Sequence, residues 1–161
     1  MVEDTQKDGS DPSTSKARLR LWLRLMGFSR SIEVLLRENF RKNFQSTLPR
    51  FDVLAALDRM PEGMNMSELS SALRVSNGNI TGLIDRLVDD GFAQRSAVPG
   101  DRRAHRISLT PAGRRQFSDM ATAHEEWIDK CLQDFEIMEA VELSERLRGA
   151  TNLLHSDQPE H

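Results

Sequence analysis

Hydrogen-bonding side chains cluster on one face of a short segment near the middle of the chain. If residues 77–90 form a helix, apolar residues at steps of three and four occupy the opposite face: Ile80, Leu83, Ile84 and Leu87. The polar face carries Asn77, Asn79, Thr81 and Arg86. Amide groups suit paired hydrogen bonds to adenine, guanidinium groups suit guanine, and hydroxyl groups suit a base or a phosphate. The pattern therefore favours recognition of a nucleic acid in its major groove.

A second cluster, this one cationic, follows in a predicted turn. Two strand-like runs, residues 92–98 and 104–109, flank a five-residue segment: Pro99, Gly100, Asp101, Arg102 and Arg103. The proline and glycine predict a turn, so the two runs form a hairpin with a positively charged tip. An isolated pair of arginines is usually a solvated loop. A hairpin directly after a polar helix is instead typical of a wing that contacts DNA.

Two short helices joined by a turn must position these side chains. Ser67 is predicted to cap the first helix, which has one apolar stripe. Ser76 or Asn77 caps the second helix, and Gly91 ends it because glycine readily adopts a left-handed conformation. Two short helices with a turn of three to four residues between them indicate a helix-turn-helix.

Four segments, residues 75–81, 87–91, 101–103 and 109–113, resemble the MarR family of bacterial transcription regulators. The resemblance implies that Arg103 enters the minor groove, that Asp101 braces it and that Arg102 contacts phosphate. A two-fold dimer would prefer an inverted repeat of double-stranded DNA with half-sites roughly 10 bp apart. The expected DNA-binding residues are Ser76, Asn77, Asn79, Thr81, Arg86, Arg95, Asp101, Arg102 and Arg103.

The rest of the chain predicts a mainly α-helical fold with a small antiparallel β wing. Residues 1–15 are polar and without periodicity, so we expect a disordered arm. The expected domains are an N-terminal dimerisation and ligand-pocket helix at 16–46, a winged helix-turn-helix at 47–110, dimerisation helices at 111–156 and a tail at 157–161. The apolar stripes of the first and last helices exceed what so small a domain buries, which favours a homodimer.

Local signals place several boundaries in this scheme. Pro49 suits the first turn of a helix whose inner face carries Phe51, Leu54 and Leu57. Residues 64–66 are expected to form a third, edge strand of the wing. Thr110 and Pro111 predict the cap and first turn of a long helix. Its apolar stripe is expected to comprise Phe117, Met120, His124, Trp127 or Ile128, Cys131 and Phe135.

The resemblance also implies a small effector, a phenolic or aromatic acid or its CoA thioester. The expected ligand-binding residues are Trp22, Met26, Phe28, Ser29, Arg30, Phe51, His124 and Trp127. Several arginines of the first helix have no local acidic partner, and they would suit such an anion. Two alternatives remain open: the arginines are solvated or paired with acidic residues, and the apolar residues fill a dimer core that has no cavity.

Composition excludes several classes of protein. The one cysteine, Cys131, cannot form an internal disulfide, which suits the cytoplasm, and no Cys or His pair has metal-ligand spacing. We find no catalytic motif, no cofactor motif and no apolar run long enough to cross a membrane. The net charge is −3, yet residues 16–42 hold eight basic side chains against two acidic ones. Because DNA affinity depends on local charge, the negative total does not exclude it.

Two other functions are compatible with this pattern. One is a winged-helix regulator of the PadR type, which also has terminal dimerisation helices; the Asp-x-Arg motif of the wing favours the MarR family instead. The other is a constitutive DNA-binding protein that has no effector. A ligand screen distinguishes this second possibility from a ligand-responsive regulator.

Overall fold

The structure is a computed structural model that describes residues 12–98 and 101–156. Its elements are α1 (Pro12–Phe44), α2 (Leu48–Asp58), α3 (Met66–Leu73), α4 (Asn77–Asp89), β1 (Ala93–Val98), β2 (Asp101–Leu109), α5 (Pro111–Leu132) and α6 (Ile137–Ser156). The chain forms two compact units, which divide within α5 between Thr122 and Ala123. The mainly helical class with a small antiparallel sheet is confirmed.

Helix α1 begins earlier than the sequence predicts. Its first residue is Pro12, so residues 12–15, expected in a disordered arm, are helical instead. Proline is well tolerated in a first helical turn because the amide hydrogen that it lacks has no partner there. The helix ends at Phe44, and Gln45 follows with a left-handed φ of 48°. The rest of the predicted arm and the tail at 157–161 lie outside the described residues.

Aromatic stacking joins three helices of the first unit. The rings of Phe40 and Phe51 lie 4.8 Å apart between centroids, and the ring of Phe117 stacks on Phe51 at 5.7 Å. Leu54 and Leu57 are buried on the same face of α2, as predicted. The predicted first turn of α2 is also confirmed: Pro49 lies in it, and the Thr47 hydroxyl accepts a hydrogen bond from the Arg50 amide.

The cap of α3 differs from the prediction. Asn65, not Ser67, precedes the helix, and its side-chain oxygen accepts from the amide of Glu68 at 2.9 Å. The Glu68 carboxylate accepts in return from the amide of Asn65 at 2.8 Å. This reciprocal capping box satisfies two amides at once, so the helix begins one residue before Ser67.

The β-hairpin is longer on one side than predicted. Its antiparallel register pairs Ala93 with Leu109 and Ala97 with His105, and an irregularity between Ala97 and Val98 brings Val98 opposite Asp101. Strand β2 therefore begins at Asp101, and the arginines expected in the turn belong to the strand. A bulge on one side of a hairpin lets pairing continue past a register change, which local turn signals do not show.

The predicted third strand is a single bridge. Within residues 64–66, Met64 pairs with Ile107 through two backbone hydrogen bonds of 2.9 and 2.8 Å. The neighbouring Gly63 has φ +81°, and a Cβ on it would lie 2.7 Å from the carbonyl oxygen of Ile107. The approach of this loop to the wing therefore requires glycine at position 63.

The second unit contains the end of α5 and all of α6. Helix α5 ends at Leu132, so Phe135, which the sequence places on its stripe, lies in the connection that follows. The carboxylate of Glu139 accepts from the amide of Glu136 at 3.0 Å, immediately before α6 begins. None of the helices in the described ranges is long and apolar enough to cross a membrane.

Candidate nucleic-acid interface

Helix α4 presents a polar face because most of its apolar face is buried, with Leu83 half-buried at its edge. Ile80, Ile84 and Leu87 have no exposed surface, whereas Asn79 and Arg86 are exposed on the helix. Exposed residues of the same helix include Gly78, Thr81 and Gly82. A Cβ built on either glycine has nothing within 4 Å. This face is therefore exposed and has no side chain at its two glycines, which suits a helix that enters a groove of DNA.

The ends of α4 match the prediction in part. Ser76 precedes the helix in an extended conformation but makes no side-chain capping bond, and Asn77 is the first helical residue. The side chain of Asn77 lies outside the described part of the structure. Gly91 follows the helix with φ +74°, which confirms the predicted left-handed end.

The turn before α4 is fixed by its own hydrogen bonds. Arg74 ends α3 with a left-handed φ of 53°, a conformation that is uncommon for a residue with a side chain. The Ser70 hydroxyl donates to the carbonyl of Val75 at 2.5 Å, and the amide of Val75 donates to the carbonyl of Ser70 at 3.2 Å. These two bonds hold the turn between α3 and α4 to the end of α3. The sequence gives no signal for the strained arginine.

An ion pair links the polar helix to the wing. Arg95 of β1 places Nη2 2.6 Å from Oδ1 of Asp85 in α4. Both side chains are partly exposed, at 39% and 49%. Arg95 was predicted as a DNA contact, and here its guanidinium is bound to the helix that precedes the wing. The pair fixes the first strand of the wing relative to α4.

A second arginine holds the other strand of the wing, and sequence reasoning missed it. Arg106 in β2 donates from Nε to the carbonyl of Glu62 at 3.1 Å and from Nη2 to the carbonyl of Gly63 at 2.8 Å. Its Nη2 also lies 3.8 Å from Oε2 of Glu68. Three oxygens from the α2–α3 loop and α3 therefore position one guanidinium. In the sequence, Arg106 looks like any outward residue of a strand.

The backbone after α4 is tied to the start of α5. The Thr110 hydroxyl donates to the carbonyl of Gly91 at 2.6 Å and accepts from the amide of Gly113 at 3.0 Å. The amide of Thr110 donates to the carbonyl of Phe92 at 3.0 Å. Thr110 thus caps α5 as predicted, and it also connects that cap to the end of α4.

The tip of the wing carries the remaining predicted DNA contacts. Asp101, Arg102 and Arg103 contribute backbone to β2, next to the turn. Their side chains lie outside the described residues, so the predicted contacts of Arg103, Arg102 and Asp101 stay predictions. The strand places these residues at the end of the hairpin remote from Ala93 and Leu109.

The residues predicted to bind an effector are divided among three places. Trp22, Met26, Ser29 and Arg30 line one open groove on α1, beside Leu25 and Glu33. Phe28 is exposed on the same helix, whereas Phe51 belongs to the aromatic stack of the core. His124 lines a cleft of the second unit with Ile128 and Phe135, and Trp127, which does not line this cleft, is half-buried in the same unit. The predicted ligand-binding residues therefore belong to both units, and within the first unit Phe51 does not line the α1 groove.

An ion pair on α1 affects the titration of one exposed carboxyl group. The Lys42 ammonium lies 2.7 Å from Oε1 of Glu38 and lowers the pKa of that exposed carboxyl through their hydrogen bond and charge attraction. Cys131 is a free thiol of intermediate exposure. Within the described residues, no group of three or more His, Cys, Asp or Glu side chains has the arrangement of a metal site.

Comparison with known proteins identifies this arrangement. A model of the MarR family matches residues 46–105, which span the helix-turn-helix and most of the wing. A crystal structure of a MarR family transcriptional regulator from Silicibacter pomeroyi is 30% identical, with a TM-score of 0.72, over 92% of this chain and 100% of that one. The chain belongs to the MarR family.

Two further relatives describe the extent of the similarity. The transcriptional regulator PecS of Dickeya dadantii is 38% identical over 65 residues, a match that covers 39% of this chain and 39% of PecS. A mutant MarR from E. coli, complexed with operator DNA, has a TM-score of 0.70 at 22% identity over 88% of this chain and 99% of that one. The chain is therefore a transcriptional regulator with the winged-helix DNA-binding fold of the MarR family. The family assignment favours this type over the PadR alternative.

Proposed function

We propose that this MarR-family chain is a homodimeric repressor that binds a palindromic operator in the cytoplasm and is released by a small aromatic acid or its CoA thioester. The DNA-binding part of this proposal rests on the ion pair between Asp85 and Arg95. It holds the open face of α4 and the first strand of the wing as one surface. One surface that presents a helix and a hairpin together suits adjacent major and minor grooves.

The operator contacts follow from this surface. Asn79 and Thr81 offer amide and hydroxyl groups to base edges, and Arg86 offers a guanidinium at the last turn of the helix. Arg102 and Arg103 supply positive charge at the wing. The E. coli MarR mutant of known structure is bound to operator DNA, which supports the same role for the shared fold here.

Exposed apolar side chains support the homodimer. In α1, Leu21, Trp22 and Val34 are each more than half exposed. In α6, Ile137 is 81% exposed and Met138 is 76% exposed. Large apolar side chains concentrated on terminal helices are most simply covered by a second copy of the chain, because a two-fold interface uses the same surface twice.

The groove on α1 supports the proposal that the chain binds an effector. Trp22, Leu25 and Met26 give it an apolar wall, and Arg30 with Ser29 gives it polar anchors for a carboxylate. All of its described lining residues belong to α1, so a partner subunit would complete it. A ligand held there could change the separation of the two recognition helices, provided that it binds one arrangement more tightly than the other.

The test combines assembly, DNA binding and release. The purified chain should have the mass of a dimer in light scattering and should bind a fragment of its own promoter region at low salt. Benzoate, salicylate and an aromatic CoA thioester should then be screened for thermal stabilisation and for release of the fragment. If the chain is monomeric and does not bind the promoter fragment, the proposal is contradicted. Binding without any response to these compounds identifies a constitutive DNA-binding protein instead.

A further inference from the structure

Two arginines attach the wing to the rest of the first unit, one from each strand. Arg95 of β1 pairs with Asp85 of α4, whereas Arg106 of β2 binds the loop between α2 and α3. In the antiparallel register Arg95 lies opposite Ile107, so Arg106, the neighbour of Ile107, belongs to the other face of the hairpin. The two arginines therefore hold the hairpin from both of its faces.

The guanidinium of Arg106 binds two successive carbonyl groups. Nε donates to the carbonyl oxygen of Glu62 at 3.1 Å, and Nη2 donates to that of Gly63 at 2.8 Å. Nε and Nη2 lie along one edge of the planar guanidinium, which suits two acceptors side by side, whereas a lysine ammonium is a single point of charge. The contact therefore depends on the shape of the arginine side chain and not on its charge alone.

The same loop carries the cap of α3. Oε2 of Glu68 lies 3.8 Å from Nη2 of Arg106 and accepts from the amide of Asn65 at 2.8 Å. Beside these contacts, Met64 and Ile107 exchange two backbone hydrogen bonds. The start of the helix-turn-helix and the second strand of the wing are thus joined by side-chain and backbone bonds that lie within a few residues of each other.

These partners make Arg106 unsuited to a direct contact with phosphate. Nε and Nη2 are already bonded, and the Glu68 carboxylate offsets part of the positive charge. Arg103 lies three residues nearer the tip of the wing, which is about 10 Å of strand. Hydrogen bonds form at about 2.9 Å and weaken beyond about 3.2 Å, so contacts at the tip depend on how firmly the strand is held at Arg106.

We propose that Arg106 is a positioning residue for operator binding: it anchors the wing to the loop between α2 and α3 and so places Arg103 against the minor groove. This role rests on the proposed function, because it requires the wing to contact DNA. Arg106 itself does not touch DNA. It sets the contribution of the wing to affinity and leaves the contribution of α4 unchanged.

Arg106→Lys, which keeps the charge and loses the paired hydrogen bonds, tests the anchor by fluorescence polarisation on a fragment of the promoter region. It should bind at least fivefold more weakly, with the salt dependence of the wild type, because no phosphate contact is lost. Arg59→Lys makes the same change at an exposed arginine at the end of α2 and should bind like the wild type. Wild-type affinity of Arg106→Lys, or a reduced salt dependence, would overturn the proposal.

Double variants separate positioning from a loss of stability. Arg103→Ala should weaken binding at least fivefold in the wild type and no more than twofold in Arg106→Lys, because there the tip of the wing is already displaced. Asn79→Ala, on α4, should weaken binding by the same factor in both backgrounds. If Arg103→Ala also costs the same factor in both, Arg106 acts on stability alone and the proposal is overturned.

Hydrogen exchange of the full chain without DNA separates this proposal from the proposed function. In Arg106→Lys the amides of Met64 and Ile107 should exchange at least threefold faster, whereas the amide of Thr110, at the base of the hairpin, should keep its rate. Unchanged exchange at Met64 and Ile107 would overturn the anchor whatever the DNA result. If Arg103→Ala binds like the wild type, the proposed wing contact fails, while faster exchange still supports Arg106 as the anchor of the wing.

Discussion

A Cβ on Gly113 would lie 1.9 Å from the carbonyl oxygen of Phe92. The first turn of α5 therefore rests directly on the backbone that joins α4 to the wing. The same carbonyl accepts a hydrogen bond from the amide of Thr110 at 3.0 Å. The wing thus begins and ends against one point of α5, and only glycine permits that approach.

Gly113→Ala should consequently destabilise the fold. The added methyl group cannot be accommodated without moving backbone, so we expect a loss of about 1–3 kcal/mol in the free energy of unfolding. Gly82→Ala is the matched control, because a Cβ there meets nothing within 4 Å. That variant should gain up to about 1 kcal/mol from helix propensity and yet bind operator less tightly. Chemical denaturation and a DNA titration measure the two effects. Equal stability of both variants would contradict the close approach.

The Asp85–Arg95 pair predicts a positioning role for Arg95. Arg95→Ala should weaken operator binding, and Asp85→Ala should weaken it similarly, with little further loss in the double variant. A phosphate contact contributes about one unit to the slope of log affinity against log salt, and we expect Arg95→Ala to keep the wild-type slope. Fluorescence polarisation at several salt concentrations gives that slope. A slope reduced by about one would show that Arg95 contacts the phosphate backbone directly.

Arg103→Ala should weaken operator binding by about 1–3 kcal/mol, because the proposed minor-groove contact is lost. Its control is Arg146→Ala, which removes an exposed arginine of α6 that pairs with Glu142 at 2.6 Å in the second unit. The control should bind the operator like the wild type. Wild-type affinity in Arg103→Ala itself would refute the assignment of the wing.

A charge placed on the exposed apolar face of α6 should disrupt the proposed dimer. Val141 is 52% exposed, and Val141→Glu should shift the mass in light scattering from dimer to monomer, because a buried interface does not tolerate an unpaired carboxylate. Asn152→Glu adds the same charge to an exposed polar position of the helix and should remain dimeric. If Val141→Glu remained dimeric at low micromolar concentration, α6 would not form the interface.

The accuracy of the sequence predictions depended on the distance between interacting residues. The apolar stripe of α4, the left-handed end at Gly91 and the cap at Thr110 were predicted correctly, because each signal lies within a few neighbouring positions. The Ser67 cap was wrong because a serine and an asparagine two positions apart both suit a helix start. The reciprocal bond with Glu68 decides for Asn65.

The same dependence on sequence distance holds for the residues of the candidate site. The exposed polar face of α4 follows from the spacing of residues 77–90 alone, since burial of one face leaves the other in solvent. Arg106 was missed because its acceptors, Glu62 and Gly63, precede it by 44 and 43 positions. Arg95 was chosen for its charge, but the structure brings it to Asp85. No local pattern distinguishes an arginine that contacts DNA from one that holds a strand.

Local sequence patterns were enough to predict a polar helix followed directly by a charged hairpin, and terminal helices with more apolar surface than one small domain can bury. Helical periodicity, caps and turn residues act over four or five positions, so they can be read directly. Only the tertiary structure joined Arg50 to Asp90, across 40 positions. It also brought the first turn of α5 against Phe92. Such contacts depend on how whole helices pack, because packing decides which distant side chains share a volume from which water is excluded.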